Sequence, residues 1–393
     1  MKDNKKIIIL VQSPFTKWDE KRIGIKEILE HGFDLEIWNV GMISNAKAFI
    51  LRENISYRSD HEIRFNSLDE LKNRLSENRH AFIICLIPYI YSNYFILRLI
   101  TKNNLYAINR DFSGISGSFQ ALNIKERIVQ KIKLFSLRRI LEKLFLLTPI
   151  KMLGIKPCSL VFAGGNRSLL RHPLISTKSK VVHIHANDYD IFLKDNKESK
   201  PELNYRYAVF IDQNLAHNTD PLITGTGRVV TEQNYFPSLK KFFDQIEKKY
   251  DIRVVIAAHP RASQDNASNF YGDRDIFYGN TLPLVRESEI VLLHYSNAVN
   301  FAVLYKKPIL FFTTKELDSS FRKPAIDSLA ASLNKSIYNI DSQDSFDLAF
   351  EMEVNHEIYR DFKENYIKMD GTPEVFFWEV VAKSVDKLIC KAK

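Results

Sequence analysis

The chain of 393 residues carries 56 Lys and Arg against 47 Asp and Glu, a net charge of +9, with 45% apolar and 26% charged residues. That balance is globular and excludes a disordered, collagen-like or low-complexity protein, and the length suits two domains of ordinary size. Cys85, Cys158 and Cys390 stand too far apart for a disulfide scaffold or a Cys-based zinc site, which points to a reducing compartment. The apolar run Ile7–Val11 is too short for a signal peptide, and no stretch of about 18 apolar residues predicts a transmembrane helix.

In chain order, Lys6–Val11 reads as a buried parallel strand, because its apolar residues run on without alternation and are rich in β-branched types. The polar loop Gln12–Lys21 follows, then a helix over Ile23–His31 ended by Gly32, then a strand over Asp34–Asn39: a βαβ opening. Further strands are predicted over Ala81–Ile87, Leu105–Asn109, Leu160–Ala163 and Val181–His185. Asp195–Pro201 reads as a linker, dividing the chain into 1–198 and 199–393. The second half predicts strands over Tyr207–Ile211, Arg253–Ala258, Asp275–Tyr278, Glu289–Leu293 and Pro308–Phe312, with helices over Leu239–Tyr250 and Asn297–Tyr305. Thr372-Pro373-Glu374 looks like the start of a last helix, which is expected to pack back on the first domain. Strands alternating with helices predict two Rossmann-like, doubly wound α/β domains, with an interdomain cleft and ligands at the carboxyl ends of the strands.

The charge is local. Lys125, Arg127, Lys131, Lys133, Arg138, Arg139, Lys143 and Lys151 face only Glu126 and Glu142, so six of the nine net charges fall there. Ile124, Ile128, Ile132, Phe135, Ile140, Leu141, Leu144 and Phe145 recur among them at helical spacing. The segment 121–148 is either an amphipathic helix resting on an anionic membrane or an ordinary surface helix solvated by its cations. Nucleic acid is disfavoured, since no aromatic-basic interleaving and no Cys/His finger accompanies the charge.

In the second half, polar residues collect where strands end. Asp212-Gln213-Asn214, His259-Pro260-Arg261, Gly279-Asn280-Thr281 and His294-Tyr295-Ser296-Asn297 follow four successive strands. A carboxylate behind an apolar strand needs a partner or a task. Pro260 holds the chain at His259 extended. A helix beginning near Asn297 offers free N–H groups to an anion, or is simply capped by Ser296. Each feature alone has a plain structural explanation; their coincidence on one rim is the signal. His183 and His185 share a strand face near Asp188 and Asp190, but the spacing is not that of a metal site, and no metal is expected. Gly164-Gly165 and Gly225-Thr226-Gly227 are turns rather than a dinucleotide fingerprint.

These strand ends carry a resemblance. VVIAAHPRAS (Val254–Ser263) resembles the His-Pro motif of bacterial transferases that use CMP-activated acidic sugars, the sialyltransferases and Kdo transferases of GT-B architecture. With FIDQN (Phe210–Asn214), GNT (Gly279–Thr281) and LHYSNAVNFAVLYKKPILFFT (Leu293–Thr313), the sequence is most similar to retaining β-Kdo transferases of bacterial surface-polysaccharide assembly. The likeness covers about residues 180–375; before it, only general α/β character is shared.

The resemblance implies a glycosyltransferase moving Kdo from CMP-Kdo to a lipid-linked glycan of lipopolysaccharide or capsule, by double displacement. Asp212 would be the nucleophile and His259 would contact the CMP phosphate. Pro260, Arg261, Thr281, His294, Ser296 and Asn297 would line the donor site. Gln12, Asp19 and Glu20 are acceptor candidates by position. The paired acidic motif of sialyltransferases is not evident. The donor is the substrate, with no cofactor, and a cytoplasmic enzyme peripheral to the inner membrane face follows. A transferase of another CMP-nonulosonate (sialic or pseudaminic type), a polymerase using CDP-glycerol and a non-catalytic polysaccharide-binding scaffold are the alternatives.

Overall fold

The computed structural model describes residues 5–53, 57–109, 137–169, 172–195, 203–217, 228–260, 262, 270–342 and 348–392. The chain forms two compact units. One holds the described residues up to 187 and those from 371 onward; the other holds 188–370.

The first unit contains a seven-stranded sheet: β1 (Lys6–Val11), β2 (Asp34–Asn39), β3 (Glu62–Arg64), β4 (Phe82–Cys85), β5 (Tyr106–Asn109), β6 (Leu160–Ala163) and β7 (Lys180–His183), in the order β3-β2-β1-β4-β5-β6-β7. The second contains six: β8 (Tyr207–Ile211), β9 (Arg253–Ala258), β10 (Ile276–Tyr278), β11 (Ile290–Leu293), β12 (Ile309–Thr313) and β13 (Ile337–Asn339), in the order β10-β9-β8-β11-β12-β13. Every pairing is parallel. In each sheet the first strand lies centrally and the winding reverses beside it. The switch points are therefore between β1 and β4 and between β8 and β11, where α/β sheets open a crevice at their carboxyl ends.

The apolar runs that predicted strands are buried on both faces. Ile7 to Leu10, Tyr207 to Ile211 and Ile309 to Phe312 are all buried. β3 and β13, each of three residues, were not expected from the sequence; both lie at sheet edges, where so short a run leaves no periodicity to read. The helix Glu232–Tyr250 covers the second sheet with Tyr235, Leu239, Phe242, Phe243 and Ile246.

Three expectations are corrected. The supposed loop Gln12–Lys21 contains a helix from Lys17 to Arg22, begun by a capping box in which Thr16 and Asp19 exchange side-chain and backbone hydrogen bonds. The last helix runs over Phe377–Ala392, not from Thr372, because His185 Nε2 bonds the Val375 carbonyl at 2.7 Å and holds that stretch out of helix. Its Phe377, Trp378, Val381, Ala382 and Val385 join the core of the first unit with Ile7, Ile9 and Phe82. Trp378 donates to the Arg22 carbonyl and lies so close to Gly24 that a Cβ there would stand 2.3 Å from it.

The third concerns the linker expected to begin at Asp195. The units divide at 187/188, and 196–202 lie outside the described residues. Asp195 is no solvated linker residue. Its carboxylate takes 2.5 Å bonds from Arg286 Nη1 and the Tyr305 hydroxyl, and the Asp195 and Arg286 side chains are both buried. A pair removed from water is costly to break, since the survivor keeps its charge without a partner. Arg286→Met is expected to cost about 3–5 kcal/mol in urea unfolding, and Asp195→Asn, which keeps an acceptor for both donors, distinctly less. Equal costs would show that the pair does not carry this anchor between the end of the helix Asn187–Leu193 and the helix Thr281–Glu287.

Candidate functional site

The second unit gathers its polar groups at the switch point. Asp212 follows β8, and only 6% of it is exposed. Its carboxylate accepts the Asn214 N–H at 2.9 Å, the N–H groups of Gln213 and His259, and the Tyr271 hydroxyl. Asn214 lies in the left-handed region at φ 52°, which turns its N–H back onto the carboxylate two residues earlier. Burial pushes the Asp212 carboxyl up, against those four donors that favour the anion. Its charge in turn helps raise the hydroxyls of Tyr235, Tyr271 and Tyr278, for each of which burial is the first cause.

His259 ends β9 half-buried, with its backbone N–H on Asp212 and its carbonyl accepting from Ala262 N–H; Pro260 is exposed. Thus Asp212 and His259 are brought together, as their strand ends required, by the pairing of Ile211 with Ala257. Thr281 opens the helix Thr281–Glu287 after β10 and is half-buried. Arg261 lies outside the described residues.

His294 is corrected from a donor-site residue to a core one. It is fully buried, with Nδ1 donating to the Phe312 carbonyl at 2.7 Å and Nε2 accepting from the Tyr235 hydroxyl at 2.8 Å. Burial pushes its pKa down to about 4, so the ring is neutral and fixed in one tautomer. No nitrogen is left for a nucleotide. Ser296 Oγ accepts the Ala298 N–H at 3.2 Å, a local turn bond rather than a helix cap, since the N-cap is Ala298 without a side-chain bond, and Asn297 is exposed. The helix expected from Asn297 begins at Val299 and runs to Leu304.

In the first unit, the acceptor candidates divide. Gln12 follows β1, and its Oε1 accepts from Asn93 Nδ2 at 2.7 Å and Ser44 Oγ at 3.2 Å, across the β1/β4 switch point. Asp19 is spent on the capping box with Thr16, and Glu20 bonds the Tyr57 hydroxyl.

The sequence reading missed Tyr271, Tyr235 and Arg322, and it placed Gln213 and Tyr295 at strand ends without giving them a role. Tyr271 comes from a segment between strands, and Tyr235 from the covering helix. Neither position follows a strand, so the strand-end rule had no means of finding them. Gln213 Oε1 accepts the Tyr295 N–H at 3.0 Å and ties the end of β8 to that of β11. Among the described residues, no group of three or more His, Cys, Asp or Glu is placed to hold a metal.

No protein-family model matches the chain, and no curated protein sequence matches it. Solved structures do. The UDP co-structure of MnaA from S. aureus is similar with a TM-score of 0.54 at 11% identity, over 98% of this chain and 97% of that one. CalG4, the calicheamicin glycosyltransferase, gives 0.53 at 9% identity over 98% of each chain. The wall teichoic acid polymerase TagF gives 0.51 at 9%, over 99% of this chain and 89% of that one. The fold is GT-B-like. At these identities the likeness is one of architecture, and the second sheet of this GT-B-like chain puts its carboxylate at the switch point.

Because Asp212 is raised by burial, its ionised form weighs against folding. The sign is definite: wild type carries the penalty above the folded-state pKa of Asp212 and is relieved of it below, where the carboxyl is protonated. Asp212→Asn removes the charge at every pH. Its melting temperature is therefore expected to exceed that of wild type near pH 8, with the gain shrinking as pH falls into the carboxylate range. A difference that stays constant from pH 4 to pH 8 would show that burial does not govern this carboxyl.

Proposed function

We propose that the protein is a glycosyltransferase that moves Kdo from CMP-Kdo to a glycan acceptor with retention, through a covalent adduct on Asp212. The observation that carries this reading is the Asp212 carboxylate at the β8/β11 switch point, held by three backbone N–H groups and a tyrosine hydroxyl, with His259 beside it. The GT-B-like fold and the ordered strand-end motifs support it.

The chemistry suits such a group. As the bond between the keto-sugar anomeric carbon and the CMP phosphate oxygen breaks, its electron pair leaves with the phosphate. The ring carbon then carries oxocarbenium character, which an adjacent carboxylate oxygen traps on the opposite face. An acceptor hydroxyl displaces the Asp212 carboxylate in turn, its proton passing to solvent and the C–O bonding pair returning to Asp212, so two inversions give retention. Burial keeps the carboxylate poorly solvated and reactive, while its donors hold its orientation. The His259 imidazole, directed by Pro260, is the candidate partner of the departing phosphate, with Thr281 and Asn297 on the donor side. Arg261 belongs to the same proposal by sequence.

Incubation with CMP-Kdo followed by intact-protein mass spectrometry tests the mechanism. The expected result is a mass increment of one Kdo residue on Asp212, with CMP released. Asp212→Ala should lose adduct and turnover, and His259→Ala should slow CMP release by about 10²–10³-fold. Turnover without adduct, giving inverted product, overturns double displacement. Adduct formation from a sialic or pseudaminic CMP-sugar alone changes the sugar. Turnover of CDP-glycerol alone makes it a polymerase. Full biological activity of Asp212→Ala leaves a scaffold.

We also infer that the segment 121–148 docks on the anionic inner face of a cytoplasmic membrane, where a lipid-linked acceptor would be met. Support comes from the described part, the helix Leu137–Leu147. Phe145 is buried against Tyr89, and Glu142 accepts the Tyr91 N–H, so this helix is fixed to its unit. Leu144, Leu147 and Met152 are left more than half exposed beside the exposed Lys143 and Lys151. No helix among the described residues is long and apolar enough to cross a membrane. Sedimentation with phosphatidylglycerol vesicles should fall about tenfold for Leu144→Glu with Leu147→Glu; unchanged sedimentation refutes the dock.

A further inference from the structure

Arg322 is a half-buried cation on the same rim as Asp212. It follows β12 and stands just before the helix Lys323–Ser332. Its guanidinium is held by aromatic rings: its central carbon lies 5.3 Å from the Tyr295 ring and 4.9 Å from that of Phe321. Nη1 donates to the Tyr295 hydroxyl at 2.6 Å. That is its one described side-chain hydrogen bond. Nε is shut off from water without an acceptor. Among the described residues no carboxylate pairs with Arg322. Asp318 and Asp327, the acids nearest in sequence, are both paired with Lys323.

This is an unusual place for a cation. Ordinary structural arginines in the same unit are saturated: Arg274 binds Asp244 and Glu247, and Arg286 binds Asp195 and Glu287. A partly desolvated guanidinium without a counter-charge forgoes hydration and gets only two ring faces and a hydroxyl in return. Two rings and that hydroxyl fix its plane, so its charge is held in one orientation while Nε stays enclosed. A planar guanidinium held in this way suits the oxygens of a carboxylate or phosphate. Its support also leads back to the candidate site, since Tyr295 is tied by its N–H to Gln213, the neighbour of Asp212.

We propose that Arg322 is the oxyanion-binding residue of this rim, taking a phosphate or carboxylate of the ligand on its guanidinium. The assignment deepens the donor reading above, on which the identity of the ligand rests; the anion site itself does not depend on the sugar. A CMP-activated acidic sugar carries both groups, a phosphate and a carboxylate.

Calorimetric titrations of the full chain with cytidine, CMP, free Kdo and UDP separate these sources. Wild type should bind CMP more tightly than cytidine. Arg322→Gln should weaken CMP by about ten- to a hundredfold, the size of one charge-assisted contact, and leave cytidine unchanged. Arg322→Lys, which keeps the charge but not the fork, should fall between them and guards against a fold defect in the Gln variant. A loss confined to free Kdo assigns the guanidinium to the carboxylate. A loss confined to UDP, with CMP bound by neither protein, upholds Arg322 while removing the cytidine donor. The proposal is overturned if Arg322→Gln binds all four compounds as wild type does, or if wild type binds none of the three anions.

Discussion

A parallel sheet buried on both faces has nowhere to keep polar side chains except beyond its strand ends, and that constraint organises this molecule. β1, β8 and β12 present apolar residues to both sides. The backbone groups of each interior strand are consumed by its neighbours. Polar chemistry is therefore displaced to the loops, and the doubly wound connection brings loops from non-consecutive strands together at one point of each sheet. Asp212 from β8, Tyr295 from β11 and Arg322 after β12 occupy one rim for that reason.

Within that rim, burial and hydrogen bonding oppose each other at Asp212. Withdrawal from water favours the neutral acid, whereas four donors favour the anion. A carboxylate serving only as a loop cap needs fewer donors and gains nothing from withdrawal. The surrounding tyrosines sharpen the contrast. Tyr235 is not a partner of the carboxylate: its proton is committed to His294, and His294 in turn to the Phe312 carbonyl. Tyr271 gives its proton to Asp212. Two buried tyrosines of similar surroundings thus have different tasks, one fixing the core and the other orienting the carboxylate.

The sequence made the sheets legible because continuous apolar runs are the direct imprint of two-sided burial. Ile7–Leu10, Tyr207–Ile211 and Val254–Ala258 carry that imprint without interruption. Boundaries set by a single tertiary contact were not legible: nothing in Thr372-Pro373-Glu374 announces that His185 will hold Val375 out of helix. The site shows the same division. Asp212 and His259 were readable because strand ends point to them. His294 was misread because a strand-end histidine looks the same whether its ring turns outward or into Tyr235 and Phe312. Arg322 left no local signal, since its meaning lies in the acid it does not have.

The two switch points also differ in charge, and the difference bears on which unit acts on an anion. In each, a glutamine just beyond the first strand spans to a loop across the reversal: Gln12 to Asn93, and Gln213 to Tyr295. Around Gln12 the partners are amides and hydroxyls, Asn93 and Ser44, whose donors and acceptors satisfy one another. Around Gln213 stand a buried carboxylate and a cation that do not neutralise each other. Neutral amides suit a surface that contacts hydroxyls; separated charges persist where a ligand supplies the missing counter-charge. The same glutamine side-chain device thus carries a self-satisfied network in one unit and, in the other, a carboxylate and a cation without a counter-charge, which is the arrangement the proposed transfer would use.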